Sequence, residues 1–253
     1  MEERQDDARS ARPRSMQKRG VEATVAALRA GEATAVLVQQ DCPHVDVTAV
    51  RRLAAEQGVP VHEGTERDLW RMSAPGLEQP LALALVGRRP EVENIEDLLT
   101  QPGPVVLLDG VRYATNVGFV VRTAEVAGAS GVLLLSDDAP ATSWLKDVTH
   151  ASMGATRFMP LVHATRQVAI EAVLASGRPL IVAEDVGEVA PWDAMMPWNA
   201  ILAVGAESDG VHASLLAVAS AVVRLPMPGF VPSYNLQVAA TALLMECLRQ
   251  RAN

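Results

Sequence analysis

The sequence predicts an α/β protein in two unequal parts, each a sheet covered by helices. Short apolar runs alternate with stretches of helical period along most of the chain. Those runs are apolar throughout rather than at every second position, as expected of mostly parallel strands buried on both faces. The pattern breaks at residues 88–103, where Pro90, Pro102 and Gly103 mark an interdomain linker, with a helical turn expected at 95–99. The expected domains are therefore residues 20–87 and 104–253, preceded by a charged leader over 1–19.

In the first part, residues 21–30 read as a helix closed by Gly31, and 35–39 as a short strand. Asp46 is placed to cap a helix whose Val47, Val50, Leu53 and Ala54 share one face, and Gly58 ends it. A strand at 59–62, a helix at 65–72 and a buried strand at 81–86 complete a compact α/β unit. In the second part, strands fit 105–108, 132–135, 157–162, 180–183, 200–204 and 221–225. Helices fit 116–127, 143–151, 167–175, 211–219 and 236–250; the first of these puts Val117, Val120, Val121 and Ala124 on its core face. The leader mixes both charges around Pro13. It reads as a disordered or loosely docked segment, or alternatively as a basic arm for a nucleic-acid backbone.

Composition narrows the function. The chain has 253 residues, 49% of them apolar and 21% charged, which is enough for a core and argues against disorder. No apolar run reaches the roughly 18 residues of a membrane span, and the N-terminus has no apolar signal core, so a cytoplasmic protein with no membrane association is expected. Cys42 and Cys247 are the only cysteines, and the five histidines show no HExxH spacing, so neither a disulfide framework nor a metal site is expected. The net charge of −8 excludes histone-like binding but leaves room for a focused nucleic-acid site. There is no GxSxG elbow for hydrolysis and no GxGxxG turn for a dinucleotide.

Ligands of α/β sheets bind in loops beyond the carboxyl ends of the strands. Three such loops stand out: DGVRYATNVG at 109–118, GAESDG at 205–210, and PMPGFVPSYN at 226–235. Each has an ordinary reading by itself. Asn116 can cap the helix that follows, Arg122 can be a solvent-facing arginine, and Glu207 a loop carboxylate. Ser233 and Asn235 are what a helix N-terminus favours in any case.

Their order along the chain is more specific. Asn116 and Arg122 form NxxxxxR; Gly205, Glu207 and Gly210 form GxExxG; a strand ends in LPMPG; and Ser233 and Asn235 form SxN at the start of the last helix. This arrangement resembles the SpoU/TrmH family of RNA 2′-O-ribose methyltransferases over about 104–253. Residues 20–87 are similar, by pattern alone, to the small RNA-recognition domain many members carry. The resemblance implies a C-terminal SPOUT α/β knot, in which the chain near the second and third motifs threads a loop. It also implies S-adenosylmethionine as cofactor, a homodimer with its site near the subunit interface, and structured RNA, ribosomal or transfer, as substrate. An RNA-binding or assembly factor without catalysis, or a methyltransferase conferring antibiotic resistance, would share the same fold.

Carried over residue by residue, Gly205, Leu225 and Tyr234 would hold the cofactor, largely through the main chain. The catalytic set would be Arg122, Asn116, Glu207, Ser233 and Asn235. A guanidinium stays protonated, so Arg122 suits a phosphate or a developing alkoxide better than it suits a base. Glu207 would orient it or accept the proton. Tyr234 stands where the family usually has leucine; its ring either stacks on the adenine or packs inward. Leu236 and Gln237 also depart from the family's small or β-branched residues. RNA binding by an acidic chain requires a local basic patch, for which Arg51, Arg52, Arg88, Arg89 and Arg112 are candidates.

Overall fold

The computed structural model describes residues 17–73, 79–86 and 92–252. They form two compact units, with the division between residues 86 and 92. Residues 1–16 of the expected leader, and Arg88 and Arg89 of the expected basic patch, lie outside the described residues.

The first unit comprises β1 (Gln17–Arg19), α1 (Val21–Arg29), β2 (Ala33–Gln39), α2 (Val45–Glu56), β3 (Val61–Gly64), α3 (Glu66–Met72) and β4 (Ala82–Val86). The strands lie in the order β1-β4-β2-β3, with β2 and β3 parallel and the other pairs antiparallel. The end of the expected leader is thus an edge strand, because Gln17–Arg19 finds an open antiparallel partner in β4. The cap of α2 is His44, whose ring accepts from the Asp46 N–H, and not Asp46 itself. Thr65 and Asp68 close α3 with a reciprocal capping box. Leu28, Val36, Val38, Val47, Val50, Ala54 and Ala84 fill the core.

The second unit comprises α4 (Ile95–Thr100), β5 (Val105–Asp109), α5 (Ala114–Val126), β6 (Gly131–Leu135), α6 (Thr142–Ala151), β7 (Leu161–Ala164), α7 (Arg166–Ser176), β8 (Leu180–Ala183), β9 (Ile201–Gly205), α8 (Ala213–Leu216), β10 (Ala221–Val223) and α9 (Leu236–Arg251). Its strands form one parallel sheet in the order β10-β8-β9-β5-β6-β7. Alternate residues feed two cores. Val106, Leu108, Val132, Leu134, Leu202 and Val204 pack with Val117, Val120 and Val121 of α5 and Leu243 and Leu244 of α9. Val105, Leu107, Leu133, Leu135, Ile201 and Ala203 pack with α4, α7 and α8. Coverage of both faces explains why these strands are apolar at every position.

Three further expectations are corrected. Residues 157–162 do not form one strand: Gly154, at φ +81°, turns the chain into a single 3-10 turn at Ala155–Arg157, and β7 begins only at Leu161. The helix expected at 211–219 shrinks to α8: His212 is extended and caps it, its ring accepting from the Ser214 N–H, and after Leu216 the Val218 and Ala219 N–H groups make tight-turn bonds to the Leu215 and Leu216 carbonyls. The expected linker is partly an element of the second unit, since α4 buries Ile95, Leu98 and Leu99 in the core beneath the sheet.

Two local features brace this unit. Gly118 lets α5 approach α6; a Cβ there would lie 2.5 Å from that of Ala151 and 2.7 Å from the Val148 carbonyl. Arg178, 8% exposed, has no carboxylate partner among the described residues and spends its guanidinium on main-chain carbonyls. It donates to Asn199 at 2.7 Å, to Leu99 and Gln101 at 3.1 Å each, and to Gly103, binding the segment after α4 to the sheet. Arg178→Met keeps the apolar stem and strands those carbonyls. We expect it to lower stability by about 3 kcal/mol or more, read as a lower urea midpoint at unchanged slope.

Candidate functional site

The strand order reverses direction at β5, with β6 on one side and β9 on the other, so loops diverge there at the carboxyl ends and leave a crevice. Asp109 and Gly205 are paired at that end of the β5–β9 ladder. The loops that follow them are two of the three singled out in the sequence. The third, after β10, returns along the same edge to start α9.

Asp109 is 1% exposed and acts as the hub. One carboxylate oxygen accepts from Arg166 Nε and Nη2, at 3.2 and 3.0 Å. The other accepts from the His212 N–H at 2.8 Å, while its carbonyl accepts from the Ala206 N–H at 3.0 Å. Both ends of the 206–212 loop are thereby tied to one residue. Sequence reasoning passed over Asp109; an acidic residue closing an otherwise apolar strand was the available signal.

Gly205 is small for a reason internal to this loop. A Cβ there would fall 2.0 Å from the Gly210 carbonyl carbon and 2.3 Å from the Val211 nitrogen, so the turn can fold back on β9 only over a glycine. The Gly210 N–H closes the turn onto the Ala206 carbonyl at 2.8 Å.

Beside the turn lies a cavity of about 240 Å³, lined by Gly205, Glu207, Leu225, Ser233 and Tyr234 together with Glu184 and Asp185. Asn116 donates to Glu207 Oε1 at 3.2 Å and brings the first loop to the same place. Asn116 is not a cap; it lies within the first turn of α5, whose N-cap is Tyr113. Asn235 is the N-cap of α9 and accepts from the Gln237 N–H at 2.9 Å. The Tyr234 ring is not core packing: it is 43% exposed and its hydroxyl donates to the Pro226 carbonyl at 2.8 Å, stapling the third loop onto itself. Leu236 is buried in the core beneath.

The cavity can hold a polar heterocycle through the main chain. Among the described residues, no hydrogen bond engages the main-chain groups of Leu225 or Tyr234. Three carboxylates (Glu184, Asp185 and Glu207) face one guanidinium, Arg224, so the lining is more anionic than transfer from a sulfonium requires. Glu184 is partly committed, because it accepts from the Val211 N–H.

Arg122 is absent from this lining. It lies six residues beyond Asn116, which on a helix means about 9 Å further along and about 120° around. Exposed Thr115, Phe119, Arg122 and Val126 form a stripe along α5, and Arg122 makes no hydrogen bond or ion pair among the described residues. Nearby, burial pushes the Glu125 carboxyl up from its ordinary range. One copy of the chain therefore assembles Asn116, Gly205, Glu207, Leu225, Ser233 and Tyr234, and leaves Arg122 facing outward.

Of the other candidates, Arg112 is exposed, Arg51 is paired with Glu63 and with the Gln39 carbonyl, and Arg52 lies 3.7 Å from Glu56. Among the described residues no group of His, Cys, Asp and Glu could hold a metal, and no helix is long and apolar enough to cross a membrane. Burial raises the Cys247 thiol to about 12, which makes it a neutral core group.

Comparison with known proteins agrees with the motif reading. Residues 103–245 match the SpoU rRNA Methylase family, and residues 4–73 match the Ribosomal protein L7Ae/L30e/S12e/Gadd45 family. An uncharacterized tRNA/rRNA methyltransferase of Mycobacterium ulcerans is 31% identical over 78% of this chain and 64% of its own length, so the chain spans under two thirds of that relative. The 23S rRNA (guanosine-2′-O-)-methyltransferase RlmB of Pseudomonas putida is 28% identical over 79% of this chain and 81% of its own. The solved structure of an AdoMet-bound rRNA methyltransferase from Sinorhizobium meliloti superposes with a TM-score of 0.62 at 24% identity, covering 92% of this chain and 87% of that one.

Removing the charge of Asp109 tests the hub. Asp109→Asn should cost on the order of 3 kcal/mol, because Arg166 loses its counter-charge in a mostly buried setting. Amide exchange at Ala206 and His212 should accelerate ahead of the rest of the sheet.

Proposed function

Because the chain belongs to the SpoU rRNA methylase family, we propose that it transfers a methyl group from S-adenosylmethionine to a ribose 2′-hydroxyl of a structured RNA, ribosomal or transfer. The observation that carries this reading is the convergence of the three loops: Asn116 reaches Glu207 at the edge of a cavity whose wall includes Gly205, Leu225, Ser233 and Tyr234. The relatives' names point to the same chemistry, including 2′-O-methylation of guanosine in 23S rRNA.

The main-chain groups of Leu225 and Tyr234 suit an adenine, since they offer neutral donors and acceptors that no partner among the described residues uses. The anionic lining favours binding of a cation. S-adenosylmethionine, when bound, supplies a methyl group already activated by its sulfonium. The residues' task is then to exclude water, bring the hydroxyl within about 3–3.5 Å of its target and manage one proton. Glu207 is the acceptor in reach, held by Asn116, and a proton on the 2′-oxygen passes to its carboxylate. Ser233 and Asn235, at the head of α9, position the ribose. An arginine is needed where negative charge grows on the oxygen and where the neighbouring phosphate lies.

Arg122 fills that role from a second copy. It sits in an apolar stripe with Phe119, 40% exposed, and Val126, 77% exposed. The adjoining α9 leaves Val238 and Met245 outside while burying Leu243 and Leu244, and a helix apolar around its girth calls for cover on both sides. A homodimer packed through α5 and α9 covers these faces and carries Arg122 toward the partner's cavity. The same region supports the knotted topology: α9 is entered from edge strand β10, and Gln250 near its end bonds the Ala194 carbonyl and the Met196 N–H of the β8–β9 connection. The L7Ae-like first unit is the docking element for folded RNA, read by shape.

Arg122→Ala should abolish transfer and leave S-adenosylmethionine affinity, measured by calorimetry, within about twofold of wild type. Co-expressing Arg122→Ala with Glu207→Ala provides the decisive comparison. If Arg122 acts across the dimer, half the dimers are mixed and each mixed dimer holds one intact site, restoring about a quarter of the wild-type rate. An inactive mixture would place Arg122 with its own chain's cavity, and a wild-type chain that binds no cofactor would end the methyltransferase reading.

A further inference from the structure

A second cavity, a cleft of about 830 Å³, opens at the carboxyl ends of β5 and β6. It shares Ala206 and Gly210 with the first, so only the turn after β9 stands between them. Glu207 belongs to that turn. A group placed in the cleft therefore lies next to the point where the 2′-hydroxyl must sit.

The cleft's chemistry restricts what can enter. Asp109 is buried in it, and its charge is matched by Arg166. Of the remaining lining charges among the described residues, exposed Asp137, Asp138 and Asp209 outnumber the guanidinium of Arg112. A phosphate would be repelled here. Trp144 supplies a planar apolar wall, with its orientation set by the indole N–H donating to the Arg112 carbonyl at 2.9 Å. A flat, uncharged group rich in hydrogen-bond donors satisfies both conditions. Resting on the methyltransferase reading above, we propose that this cleft receives the base of the nucleotide whose ribose is methylated, and that it selects guanine. One edge of guanine carries a ring N–H beside an exocyclic amine, which together match the two oxygens of one carboxylate. Adenine and cytosine offer the amine alone, and uracil presents a carbonyl on each side of its single N–H.

The proposal is tested with the full chain saturated in S-adenosylhomocysteine and four labelled pentaribonucleotides that differ only in the central base, followed by fluorescence anisotropy. The guanine-centred strand should bind about tenfold or more tighter than the uracil-centred one. Two variants at exposed positions, Asp137→Asn combined with Asp138→Asn, and Asp209→Asn alone, locate the carboxylate responsible. At least one should reduce the ratio to within about twofold, with S-adenosylhomocysteine affinity by calorimetry unchanged. Equal affinity for the four strands, no measurable binding of any, or a preference that survives both variants would overturn the proposal. A wild-type chain that binds no S-adenosylhomocysteine would instead remove the methyltransferase reading, and this proposal with it.

Discussion

One buried carboxylate holds the site in shape. Asp109 ends the central strand at the place where the sheet's strand order reverses, and it is almost fully buried. A charge in that position is tolerable only if paired and hydrogen-bonded. Arg166 supplies the pairing, and the 206–212 loop supplies the N–H groups. Satisfying Asp109 therefore obliges the loop to fold back over the strand ends. That loop is the common wall of both cavities. The fold of the sheet and the geometry of the site are coupled through this one residue.

The same economy appears in how the loops are built. The turn after β9 closes over Gly205 because no side chain fits against Gly210 and Val211. The loop before α9 is closed by a tyrosine hydroxyl on a proline carbonyl. Neither device uses the main chain of Leu225 or Tyr234, which, among the described residues, stays available to a ligand. Recognition through the main chain tolerates side-chain change, so a tyrosine where the family usually has leucine is compatible with the site.

α5 divides its labour by face. Val117, Val120, Val121 and Ala124 bury against the sheet, Gly118 meets α6, and Asn116 meets Glu207. Phe119, Arg122 and Val126 are left outside. Helical geometry makes the outcome unavoidable: residues six apart cannot share a face. A motif that is contiguous in the sequence is thus split between the inside of the unit and its exposed surface.

Local patterning determined much of this protein directly from its sequence. Strands buried on both faces read as apolar runs, and helices such as α5 and α7 read from their period, because both patterns are set by short-range geometry. Gly205, Glu207, Leu225, Ser233 and Tyr234 of the cavity were legible within spaced motifs, since glycine, proline and capping residues mark loops wherever they fall, whereas Glu184, Asp185 and Arg224 carry no such mark. What tertiary structure decided were features that depend on distant partners. Gln17–Arg19 became a strand because β4 offered an edge, the Val211 and His212 N–H groups fixed the entry to α8 against Glu184 and Asp109, and α4 joined a core assembled from strands far along the chain. The direction in which Arg122 points belongs to the same class. A side chain's neighbours across the fold are chosen by packing, and packing leaves no periodic trace in the residues themselves.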